Sequence, residues 1–199
     1  MLKIGITGNI GGGKTTVSKV FEVLGIPVFY ADNAAKNVMA TDATLIGSIK
    51  TAFGNESYSG DGSLNRKYIA SIVFNDEIQL AKLNSLVHPA VFMAFEEWTN
   101  QITDAPYVLK EAALLFESTS YKMCDYSVMV TAPLELRIKR VMQRDSLSRD
   151  EVLNRDSRQF SEEKKTAMAD FVIKNDDTQL VIPQVLALHE KFLSLVNGH

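Results

Sequence analysis

Gly8-Asn9-Ile10-Gly11-Gly12-Gly13-Lys14-Thr15-Thr16 fits the phosphate-binding pattern G-x-x-x-x-G-K-[ST], with Gly8, Gly13, Lys14 and Thr15 at its fixed positions and two more glycines inside. A backbone that curls around a polyphosphate turns its N–H groups inward, and side chains with a Cβ obstruct that geometry. Gly11, Gly12 and Gly13 leave the room, and Lys14 is long enough to reach the β- and γ-phosphates. The hydroxyl of Thr15 stands where a ligand to phosphate-bridging Mg²⁺ belongs, with Thr16 beside it, and the helix that follows adds the positive end of its dipole. The pattern therefore suits a nucleoside triphosphate.

Such a pattern is meaningful only between a strand and a helix. Leu2, Ile4 and Ile6 alternate with small or polar residues and predict a strand leading into the loop. Val17, Val20, Phe21 and Leu24 fall at helical spacing after it, and Gly25 marks a helix stop. The alternative is a glycine-rich turn without a ligand, and the flanking elements argue against it.

Further strands are predicted at Ile26 to Tyr30, Tyr107 to Lys110, Tyr126 to Thr131 and Phe171 to Ile173, separated by helical patterns. The alternation predicts an α/β fold, a P-loop NTPase of three layers around a five-stranded parallel sheet. Nearly eighty residues separate the second and third strands, more than one crossover helix needs, so a helical insert is expected there. Within it Leu45, Ile46, Ile49 and Phe53 make one apolar face, and Tyr68, Ile69, Ile72 and Val73 a second. A third pattern holds Ile78, Leu83 and Leu86, and a separate last helix is expected to start at Pro89.

The stretch from Arg137 to Lys165 is dense in charge and poor in large apolar residues, and predicts exposed helices, one started by Pro133 and one by the capping box Ser148 to Glu151. Its arginines read either as a solvated face or as a mobile lid that neutralises charge on a transferring phosphoryl group. The expected boundaries are residues 1–32, 105–135 and 168–199 for the nucleotide-binding core, 33–104 for an acceptor-binding insert and 136–167 for the lid.

The 199 residues and 46% hydrophobic content suit a globular protein. A formal charge of -3 without a basic cluster argues against a nucleic-acid partner. The chain begins directly with a strand and has no apolar stretch of membrane-spanning length, so no membrane partner and a cytoplasmic location are expected. Cys124, the sole cysteine, reads as a buried small residue in a reducing compartment. No periodic stripe demands self-association, so a monomer or weak homo-oligomer is expected.

Asp32 follows the second strand at the sheet edge where open α/β folds bind ligands. It reads equally as a general base for an acceptor hydroxyl and as an N-cap for the helix bearing Ala34, Ala35, Val38 and Met39. The remaining alternatives are a kinase for another small molecule and a non-catalytic nucleotide-binding module.

Several motifs, in order along nearly the whole chain, resemble those of the dephospho-coenzyme A kinases. Gly5 to Val28 is similar to the family's opening, Tyr30 to Lys36 (YADNAAK) to its D-A-D-x-x-A-R box, and Asp61 to Arg66 (DGSLNR) to its D-G-x-L-x-R. His88-Pro89, Ala113 to Glu117 (ALLFE) and Ala169 to Asn175 (ADFVIKN) resemble H-P, P-L-L-F-E and A-D-x-V-I-x-N. The resemblance implies an enzyme that uses ATP and Mg²⁺ to phosphorylate the ribose 3′-hydroxyl of dephospho-CoA, its small-molecule partner. It implies Asp32 as the catalytic aspartate, Lys14 and Arg140 with it, Arg144 as a second phosphate-side arginine, and Asn175 near the adenine. Lys36, Arg66, His88 and Glu117 would belong to the acceptor side. Tyr30, Lys36 and Ala113 stand where the family has Asp, Arg and Pro, and Glu111 is a candidate acidic group near the metal.

Overall fold

The computed structural model describes residues 1–74 and 76–198. The strands are β1 (Leu2–Thr7), β2 (Val28–Tyr30), β3 (Tyr107–Glu111), β4 (Tyr126–Thr131) and β5 (Phe171–Lys174). All pair in parallel in the order β2-β3-β1-β4-β5. The strand encoded first thus lies at the centre, with Ile4 opposite Leu109 on one side and Tyr126 on the other. β2 is shorter than the periodicity of Ile26 to Tyr30 predicts.

The helices are α1 (Lys14–Val23), α2 (Ala31–Thr41), α3 (Ala43–Phe53), α4 (Arg66–Val73), α5 (Glu77–Asn100), α6 (Leu134–Asp145), α7 (Arg149–Asp156), α8 (Glu162–Met168) and α9 (Val181–Asn197). The chain forms two units, one from Met1–Tyr30 with the stretch from Ile102 onward, the other Ala31–Gln101.

In the sheet unit, Ile4, Ile6, Tyr107, Leu109, Val128, Val130 and Ile173 point from the strands toward Val17 and Phe21 of α1 and Val185 and Phe192 of α9. The opposite face is covered in part by the chain after β3: a Cβ on Gly5 would sit 2.7 Å from Leu115 and 3.2 Å from the Cys124 sulfur. α1 ends as its sequence predicts. Gly25, at φ 82°, donates to the Glu22 carbonyl while Ile26 donates to that of Phe21, a pair of reversed bonds that satisfies carbonyls the helix leaves open.

In the helical unit α2, α3 and α4 all pack on α5. The expected break at Pro89 is absent: α5 runs unbroken for 24 residues with Pro89 inside it. A proline removes one backbone bond from a helix interior. Here Val87, Val91, Phe95 and Thr99 form one buried stripe across that position, and their packing outweighs the local penalty. Asp76 caps α5 by accepting from the N–H groups of Ile78 and Gln79.

Candidate active site

The phosphate-loop sequence folds between β1 and α1 as a strand–turn–helix. Gly11 (φ 78°) and Gly13 (φ 95°) occupy the left-handed region. A Cβ on Gly11 would lie 2.4 Å from the Arg137 carbonyl oxygen, and one on Gly13 would lie 2.1 Å from the Asn175 amide nitrogen. At both positions backbone angle and contact require glycine. The Gly12 N–H donates to the Asn9 carbonyl, closing the turn.

Lys14 opens α1, so Thr15 and Thr16 lie in its first turn, where backbone N–H groups lack helical acceptors. Thr15 Oγ1 donates to Glu111 Oε2 at 3.1 Å. Glu111 ends β3 opposite Ile6 and Tyr30, is 7% exposed, and brings a carboxylate to the threonine predicted to hold a metal. Tyr30, at the end of β2, has its phenol pushed up to about 12 by burial first, then by a hydrogen bond to Glu22 and by the charges of Glu22 and Glu111. It is thus a neutral hydroxyl beside an acidic pair.

The segment expected to form exposed helices is in part deeply buried. Arg137, on α6, is 4% exposed; its Nε donates to the Ala132 carbonyl and its Nη1 to the Ile10 carbonyl and to Asp156. Lys165, on α8, is fully buried and donates to the Ala113 carbonyl at 2.8 Å and to Glu117 Oε1 at 2.9 Å. Burial pulls the Lys165 ammonium below its ordinary pKa, and the Glu117 carboxylate opposes that. Burial likewise raises the Glu162 carboxyl, against the Arg137 charge.

Between these helices, the Gln159 side chain accepts from the Ile10 N–H, and the Phe160 carbonyl accepts from the Asn9 side chain. Glu117 also accepts from the Phe160 N–H. The sequence shows only a charged, weakly apolar stretch because these partners lie in the phosphate loop and after β3, more than forty residues away. Arg137, Asp156, Gln159 and Lys165 carry no local signal for this role.

The remaining predicted residues fall into two groups. In the sheet unit, Asn175 follows β5 and its side chain donates to the Gly12 carbonyl at 2.9 Å. Arg140 donates through Nη1 to the Asn175 carbonyl at 2.9 Å and through Nη2 to Asp177 at 2.7 Å. Lys14, Thr15, Arg140, Asn175, Glu111 and Glu117 therefore all belong to the sheet unit, where Arg140 and Asn175 are bonded to each other and to the phosphate loop, and Thr15 to Glu111. Arg144 is exposed and paired with Asp145. In the helical unit, Asp32 occupies the first turn of α2 and Lys36 the next turn, both exposed. Asp32 lies inside the helix rather than at its cap. Neither it nor Lys14 forms an ion pair among the described residues. Arg66 opens α4, and His88 stacks on Phe92 within α5.

A family model described as dephospho-CoA kinase matches residues 2–180. The dephospho-CoA kinase of Bacteroides fragilis is 39% identical over 94% of this chain and 91% of its own. A crystal structure from Thermus thermophilus superposes with a TM-score of 0.82 at 35% identity, covering 97% of this chain and 96% of that one. The Campylobacter jejuni dephospho-CoA kinase superposes at 0.70 with 26% identity, covering 96% and 97%. Their likeness spans the strand–loop–helix, the polar region behind it and the helical unit alike, and the chain belongs to the dephospho-CoA kinase family.

Proposed function

We propose that the chain transfers the γ-phosphoryl group of ATP to the ribose 3′-hydroxyl of dephospho-CoA, giving ADP and coenzyme A, the last step of coenzyme A biosynthesis. The family supplies the reaction, and the observation that carries it to this chain is the glycine turn at Gly11 to Gly13 opening into Lys14 and Thr15. The backbone N–H groups that open α1 and the Lys14 ammonium neutralise the triphosphate, and Arg140 and Arg144 stabilise the charge that spreads over the transferring group. Asn175 lies on the adenine side.

Mg²⁺ fits the oxygen donors at this end of the sheet, the Thr15 hydroxyl with the Glu111 carboxylate behind it, and when bound it offsets phosphate charge. Asp32 orients the 3′-hydroxyl and takes its proton as the new P–O bond forms and the bond to the ADP oxygen breaks. Lys36, Arg66 and His88 contact the acceptor, residues 33–104 form its binding unit, and 136–167 act as the lid. Glu117 serves the acceptor side through the backbone it holds at Phe160. The chain acts as a monomer or weak homo-oligomer in the cytoplasm; among the described residues no helix is long and apolar enough to cross a membrane.

Purified protein with Mg·ATP and dephospho-CoA should release ADP and coenzyme A. Asp32→Asn should lower kcat by about 10²- to 10⁴-fold while ATP binding persists. Undiminished turnover by that variant removes the general-base assignment.

A further inference from the structure

Arg140 is held from two sides by one short turn. Its Nη1 donates to the Asn175 carbonyl at 2.9 Å and its Nη2 to Asp177 Oδ1 at 2.7 Å. A guanidinium has five N–H donors, so two are engaged and three remain for a ligand. The arginine is fixed in direction without being consumed.

The turn that holds it is itself anchored at each point. Lys174 exchanges two hydrogen bonds of 2.9 Å with the Gln184 side chain through its N–H and carbonyl. Asn175 donates its N–H to the Thr131 carbonyl and its side-chain amide to Gly12 of the phosphate loop. Asp176 accepts from the N–H and the hydroxyl of Thr178, closing a small ring around position 177. Asp177 adopts φ 64°, a left-handed conformation that aspartate tolerates better than most residues and glycine best of all. That conformation aims its carboxylate at Arg140. One run of bonds therefore joins Asp177, Arg140, Asn175 and the Gly12 carbonyl.

We propose that Asp177 is a positioning residue, which presets the Arg140 guanidinium against the phosphate-loop side of the turn so that the donor triphosphate meets an arginine already ordered. The proposal rests on the placement of Arg140 on the donor phosphates given above. Ordering a long side chain on binding weakens association several-fold, and presetting it avoids that loss. The benefit falls on the donor side alone.

The test measures steady-state kinetics with each substrate varied, and thermal unfolding, for Asp177→Asn, Asp177→Gly, Arg140→Met and the double variant Arg140→Met/Asp177→Asn. Asparagine keeps the left-handed turn without the charge, and glycine relieves the backbone while removing the side chain. Both should lower kcat/KM for Mg·ATP by about 3- to 10-fold, leave KM for dephospho-CoA unchanged, and leave the melting temperature no lower for Asp177→Gly. Arg140→Met should lose more, and adding Asp177→Asn to it should cost nothing further. Full activity in both Asp177 variants with Arg140→Met impaired overturns the positioning role and leaves the Arg140 assignment standing. Unimpaired Arg140→Met overturns both. Tighter ATP binding by Asp177→Asn, or a further loss in the Arg140→Met background, also overturns the proposal.

Discussion

Replacing Lys165 by Met tests whether the buried pairs behind the phosphate loop hold this part of the fold together. The Lys165 side chain is 0% exposed and that of its partner Glu117 13%, so solvent screens the pair little. Methionine matches the aliphatic length and fills the space, which keeps the packing loss small. What remains is electrostatic. Glu117 Oε1 keeps only the Phe160 N–H at 2.7 Å, and the Ala113 carbonyl keeps two long contacts of 3.4 Å, from the Gln159 amide and the Thr7 hydroxyl. Breaking a buried pair by removing one partner costs about 3 to 5 kcal/mol. At about 2 to 4 °C per kcal/mol for a chain of this length, the melting temperature should fall on the order of 6 to 20 °C. Urea unfolding followed by circular dichroism at neutral pH measures the loss directly. Lys165→Met/Glu117→Gln removes the stranded charge while leaving an acceptor for Phe160, and should recover at least about 1 kcal/mol relative to the sum of the single variants. A loss below about 1 kcal/mol in Lys165→Met, or strict additivity, refutes the reasoning.

Pro89→Ala should stabilise the helical unit by about 2 kcal/mol, since Pro89 is exposed and its replacement restores a backbone donor within α5. Trp98, the sole tryptophan and itself in α5, reports that transition by fluorescence; an unchanged or lower midpoint contradicts the argument. Burial pushes the Cys124 thiol up to about 11 from 9.0. The unfolded chain therefore loses this proton first, so the thiol's contribution is intact below pH 9 and disappears as pH rises through about 11. Urea midpoints measured across that window should fall less steeply in Cys124→Ala than in the parent.

The strand pattern and the phosphate loop were legible because each is local: alternation at Leu2, Ile4 and Ile6, glycines before Lys14, and Gly25 at a helix stop. The capping box at Ser148 and Glu151 was legible for the same reason and is present. Pro89 misled because the local rule for proline competes with a buried stripe that only the packed helix displays. Arg137 and Lys165 misled more deeply. A charged residue predicts solvent unless its partners are known, and theirs include the carbonyls of Ile10 and Ala113, 127 and 52 positions away. Asn175 could be matched by motif, but nothing in the sequence tells that its amide supports the loop backbone at Gly12.

That last bond has a consequence for how the chain is made. β1 leaves the ribosome before the other four strands, yet it pairs with β3 and β4, and the loop behind it is fastened by residues 137, 159 and 175. Gly12 and Asn175 are 163 positions apart, which at about 5 to 20 residues per second is roughly 8 to 30 s of synthesis. β1 finds its partners β3 and β4 earlier, but the loop behind it must wait that long before its last fastening arrives. A nascent chain stalled short of residue 175 should hold most of the sheet and still grip a triphosphate poorly, so the phosphate loop, made before four of the five strands, is the last part of the sheet unit to become competent.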